Sequence, residues 1–204
     1  MTDPCQGRLS PLCRLSCAIC RIATTKALLA SFALWLAAAA LIYGRPFGIA
    51  QLQEITGGPT ILDMTFTTSP QQVYAVLDAL GVAGRAFDLT RIVPLDLVFP
   101  FTYALFLSAA ISWVLTRWLP KESPWIGLNL LPVIAGTADY CENAGVITLL
   151  LTYPARLDPI AVFTSTMYVI KFAFSAFSYL ALFIALAGWA VVILKGRSGR
   201  SPVP

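Results

Sequence analysis

Four ionisable side chains sit inside long apolar runs of the sequence: Asp96, Asp139, Glu142 and Lys171. A charge at the centre of a membrane-crossing helix costs about 2.5–3.5 kcal/mol on insertion scales, and such residues usually face the interior of a bundle. Asp139, Glu142 and Asn143 are spaced i, i+3, i+4, so a helix places them on one face, which Pro132, Ala135 and Gly136 continue. Lys171 falls with Thr164, Tyr168, Ser175 and Ser178, and Asp96 with Phe99, Pro100 and Tyr103. Three acids then face one base. A proton on one carboxylate, a bound cation, or Arg85 or Arg91 folding in from a loop would balance the surplus. The candidate polar cluster is therefore Asp96, Tyr103, Asp139, Glu142, Asn143 and Lys171, with Arg85 and Arg91 as loop contributors.

The chain has no His, which removes the commonest general base, zinc ligand and pH switch. Neither G-x-S-x-G nor H-E-x-x-H occurs. No metal site and no cofactor are expected, although a carboxylate-held divalent ion stays open for an enzymatic reading.

The elements that must position these groups are long and apolar. Of 204 residues, 58% are hydrophobic and 12% charged, against about 25% charged in soluble domains, so lipid must be the second solvent. The sequence predicts an all-α membrane protein, a four-helix transmembrane bundle with spans near 27–43, 91–118, 125–153 and 160–194 and a folded outer loop at 44–90. Residues 1–26 are expected as an unstructured cytoplasmic tail carrying Cys5, Cys13, Cys17 and Cys20, and 196–204 as a second tail. The spacing of Cys13, Cys17 and Cys20 hints only weakly at metal binding.

Orientation follows from Lys and Arg. Arg8, Arg14, Arg21, Lys26, Arg117, Lys121, Lys195, Arg197 and Arg200 fall on one side, which the positive-inside rule makes cytoplasmic. The other side has Arg45, Arg85, Arg91 and Arg156, beside Glu54, Asp63, Asp78, Asp88 and Asp158. A basic start followed by an alanine-rich apolar stretch is also the pattern of a secretory signal, but an uncleaved first span is the expectation. At 1.5 Å per residue, Lys171, Glu142 and Asp139 lie roughly 18, 16 and 21 Å from the outer surface and Asp96 roughly 9 Å. The first three can therefore meet near the midplane, in a cavity opening outward.

In the outer loop, Ser69-Pro70-Gln71-Gln72 reads as a capping box with Pro at the first helical position. Val73, Val76, Leu77 and Leu80 recur at helical spacing and Gly81 ends the run, so a short amphipathic helix is expected on the bundle or at the lipid interface. Leu62, Met64 and Phe66 alternate with Asp63, Thr65 and Thr67 in a strand pattern, after a turn at Gly57-Gly58-Pro59.

Gly84-Arg85, then Asp96-x3-Pro100-x2-Tyr103, then Asp139-x2-Glu142-Asn143 resembles an uncharacterised family of small four-span bacterial membrane proteins, over roughly residues 25–195. The resemblance implies the four-span topology and these site residues, and carries no established activity.

Three functions are expected to compete. A small polar solute, cation or lipid head group binds or passes at an outward-facing intramembrane site. Alternatively, the protein is structural or accessory, and its outer loop docks a partner. Alternatively, it is a membrane enzyme modifying a lipid, with a carboxylate and Lys171 as acid and base. The setting expected is a bacterial plasma membrane with both termini cytoplasmic. The partners expected are the lipid bilayer and a second copy or another membrane protein, and not nucleic acid.

Overall fold

The computed structural model describes residues 11–58, 60–120 and 123–198, with side chains to 195. Cys5, Arg8, Pro59, Lys121 and Arg200, and the side chain of Arg197, lie outside the described residues. The described residues are all-helical, 84% of them in helix and none in a strand.

The order is α1 (Pro11–Ile22), α2 (Thr25–Tyr43), α3 (Ile49–Thr56), a 3-10 turn (Leu62–Met64), α4 (Pro70–Phe87), a π turn (Asp88–Ile92), α5 (Val93–Asp96), α6 (Phe99–Leu115), a 3-10 segment (Pro124–Leu130), α7 (Leu131–Thr152) and α8 (Asp158–Ser198). Three stretches are long and apolar enough to cross a membrane: Thr25–Tyr43, Pro70–Leu115 and Asp158–Lys195. The third expected crossing is not among them. Its helix, α7, has the 22 residues needed for length, but Asp139, Glu142 and Asn143 lie in its interior.

The bundle is built on α6 and α7. Helix α2 packs on α6, and α8 packs on α7 and α6. Small residues permit the close approaches. A Cβ at Gly136 would come within 3.3 Å of Ala104 Cβ on α6, and one at Gly145 within 2.1 Å of Thr164 Oγ1 on α8. On α2, Trp35 stacks on Phe106 of α6 at 5.3 Å between centroids.

At one end lies a cap of α3, the Leu62–Met64 turn and α4. Ser69 Oγ accepts from the Gln72 amide, and Gln72 Oε1 accepts from the Thr68 amide. The reciprocal bond thus reaches one residue further back than in a capping box. Val73, Tyr74, Leu77 and Leu80 are buried with Leu52, Leu62 and Ile92 against Val146 and Leu149 of α7 and Ala161 of α8. The apolar face of the amphipathic helix therefore rests on the bundle. Gly81 breaks α4 with φ 63° and ψ −176°, at the residue where the pattern ends it. The chain then resumes as a helix to Phe87 instead of a loop.

Two expectations are corrected. The Leu62–Phe66 alternation is not a strand. Leu62 is buried in a 3-10 turn while Phe66 is exposed, and no second extended segment offers ladder partners among the described residues. The N-terminal tail is not wholly unstructured either, because Pro11–Ile22 is a helix packed on the 124–130 segment and α6. The buried Asn129 holds it, donating to the Ser16 carbonyl at 3.1 Å and to Ser112 Oγ of α6 at 2.9 Å.

Candidate functional site

Four helices and one turn bring the polar residues together. Helix α7 presents Asp139, Glu142 and Asn143 on one buried face, as their spacing requires. Helix α8 carries Lys171 opposite them. Its ammonium lies 2.6 Å from Glu142 Oε2 and 3.6 Å from Asp139 Oδ1, and it forms an ion pair with Asp63. Tyr103 of α6 donates its hydroxyl to Asp139 Oδ2 at 3.0 Å, and Asn143 donates to the Asp96 carbonyl at 3.1 Å. Asp139 is 3% exposed, and its Oδ1 has no hydrogen-bond donor.

Asp96 joins the cluster although the depth argument placed it higher. The chain narrows into α5 through a π turn, and its carbonyl is gripped by Asn143. Carboxylate oxygens of Asp63, Asp96 and Asp139 all lie within 4.8 Å of one another, close enough to share one cation. All six residues of the expected cluster are therefore joined in one network of contacts.

Asp63 was missed by sequence reasoning. It lies in the loop, and the strand pattern turned it to the solvent side. The available signal was an acid between Leu62 and Met64 in a loop with an apolar face of its own. The loop contribution to the charge balance is thus opposite to the one expected. Arg85 and Arg91 do not enter the site. Arg85 donates to the Leu77 carbonyl at 2.6 Å and covers the Tyr153 ring, while Arg91 is exposed beside Phe47. Arg85 spends its guanidinium on a backbone carbonyl and Arg91 keeps its own at the exposed surface. The balance becomes four acids to one base.

Thr164 and Ser178 turn their hydroxyls back onto Ile160 and Phe174 carbonyls of their own helix. Tyr168 and Ser175 do reach the site, lining a cavity of about 400 Å³ beside the cluster. Asp63, Asp96, Asp139 and Lys171 line the same cavity, and Trp35, Tyr43, Phe99, Tyr103, Phe172 and Tyr179 supply aromatic wall. Glu142 does not line it. The cluster therefore has two overlapping parts. Glu142, Asp63 and, at 3.6 Å, Asp139 surround the ammonium, while Asp96 and Asp139 also turn their carboxyl groups to an aromatic chamber.

At the opposite end, Cys13, Cys17 and Cys20 form no three-ligand group among the described residues. Cys20 Sγ instead accepts from Asn129 Nδ2 at 3.5 Å. No protein-family model, no curated protein and no solved structure matches this chain.

Proposed function

We propose that the chain is a four-span membrane protein with both termini cytoplasmic, whose aromatic cavity binds a small organic cation from the outer side of a plasma membrane. One observation carries this reading: Asp96 and Asp139 line a chamber walled by aromatic rings, while the single lysine beside them is shared among Glu142, Asp63 and, at 3.6 Å, Asp139. Buried carboxylates in excess of their counterions favour a cationic guest. Ring faces add attraction for an alkylated ammonium, which a hydrated metal ion would gain less from. A volume of about 400 Å³ lies within the range of small-molecule sites.

The fourth crossing is supported by the length of α7 and by the burial of its polar residues against α6 and α8. The acid–base pair needed for catalysis is less well supported, because the Lys171 ammonium is held by carboxylates and is poorly placed to act as a base.

Titration of tetramethylammonium into the protein in lipid nanodiscs tests the reading. Saturable binding is expected, weakened at least tenfold by Asp139→Asn and by Asp96→Asn. Binding that is absent, or indifferent to both substitutions in folded protein, would sink it.

A further inference from the structure

The cavity has a side door. Tyr43 on α2 and Phe172 and Tyr179 on α8 line it and are 50%, 65% and 51% exposed, whereas Asp96, Tyr103 and Asp139 at its depth are almost wholly buried. Helices α2 and α8 flank this mouth and barely touch each other, since α2 packs on α6 and α8 on α7 and α6. They are also the two membrane-length helices with most of their apolar surface uncovered. At the cap end the lining Met64 is also exposed, at 47%, while Ile49 is buried. There Asp63 reaches over the cavity to Lys171, and Met64 and Ile49 line the wall beside it.

Resting on the cation-site reading above, we infer that the ligand is an amphiphile, a cationic nitrogen carrying a long alkyl chain, which enters from the bilayer between α2 and α8. Its nitrogen sits among Asp96, Asp139 and the rings of Tyr103 and Tyr168. Its chain leaves past Ala39, Ser175 and Phe172 along a wall that apolar atoms dominate. The alkyl chain draws such a ligand out of water into the bilayer, so its nitrogen meets the mouth at a far higher local concentration than a freely soluble cation does. An amphiphile already in the membrane meets the mouth between α2 and α8 directly, without crossing the cap.

The test compares tetramethylammonium, octyltrimethylammonium, dodecyltrimethylammonium and uncharged dodecanol, with partition into protein-free nanodiscs subtracted. Dodecyltrimethylammonium is expected to bind at least tenfold more tightly than tetramethylammonium. Ala39→Trp and Ser175→Trp, which narrow the mouth, should remove most of that advantage. A tail-brominated dodecyltrimethylammonium should quench the indole fluorescence contributed by Trp35, identified by its loss in Trp35→Phe, which gives a readout independent of whether the mouth variants fold. Asp139-dependent binding of tetramethylammonium without gain along the alkyl series and without Trp35 quenching would overturn the amphiphile and leave the cation site standing. Dodecanol binding as tightly as the dodecyl cation would overturn the proposal by showing an apolar crevice indifferent to charge. No binding by any cation would overturn both readings.

Discussion

Lys171 on α8 lies 2.6 Å from Glu142 on α7, and both are withdrawn from solvent, the lysine side chain at 13% exposure and the glutamate at 1%. This contact ties the two helices that pack most extensively on each other. Removing one partner of a buried pair leaves an uncompensated charge, which costs about 3–5 kcal/mol. Lys171→Met is the harsher change, since it leaves Asp63, Asp139 and Glu142 together without their cation. It should lower resistance to denaturing detergent by roughly that amount. Pairing it with Glu142→Gln should recover part of the loss, as a coupled pair requires. Additive losses would show that the contact does not hold the helices.

Asp63 should act on the cap and not on the bundle. It is the loop residue that reaches Lys171, so Asp63→Asn loosens the turn at Leu62–Met64 while Leu149 and Ala161 still hold α4. Hydrogen exchange of the 60–68 segment is expected to rise several-fold, with α7 and α8 unchanged. Equal protection in the variant would mean that the apolar contacts of Leu62 alone fix the cap.

The relation between sequence and structure differs by region. Asp139, Glu142, Asn143, Tyr103 and Lys171 were legible because helical spacing and depth are both set by backbone geometry, and burial penalises scattered charges. Gly81 and Ser69 were legible because a left-handed residue and a capping hydroxyl act locally. Asp63 was not, because its role depends on where a loop folds, and period-2 alternation cannot tell a strand from a 3-10 turn with one buried residue. Helix α1 was hidden for a related reason. Its anchor, Asn129, sits more than a hundred positions away, and no local pattern in residues 1–26 reports that contact.

The crossing by α7 can be decided with two single cysteines in a background without native cysteines. Ser123 precedes the 124–130 segment and Ala155 follows α7, so a helix of 22 residues that crosses puts them on opposite faces. A membrane-impermeant thiol reagent applied to intact cells should label Ala155→Cys and spare Ser123→Cys. Labelling of both from outside, or of neither before lysis but both after it, would mean that α7 does not cross.

Asn129 is the hinge on which the N-terminal helix hangs. It is fully buried, and its amide donates to the Ser16 carbonyl, to Ser112 Oγ and to Cys20 Sγ, joining α1, α6 and the 3-10 segment at one atom. Asn129→Leu would leave those acceptors without a donor in an apolar setting, at a cost of about 1–3 kcal/mol. Helix α1 also packs on α6, and its Leu15, Ile19 and Ile22 edge a pocket there, but Leu15 and Ile22 remain well exposed, so apolar contact alone is a weak anchor. Detachment of α1 is therefore expected before any loss of the bundle. It should appear as increased exchange across Pro11–Ile22 and faster proteolysis after Arg14 and Arg21, with tetramethylammonium binding intact. If exchange across α1 stays at the wild-type level, the packing of α1 on α6 and the 124–130 segment is sufficient, and the polar knot serves only to satisfy the Asn129 amide nitrogen.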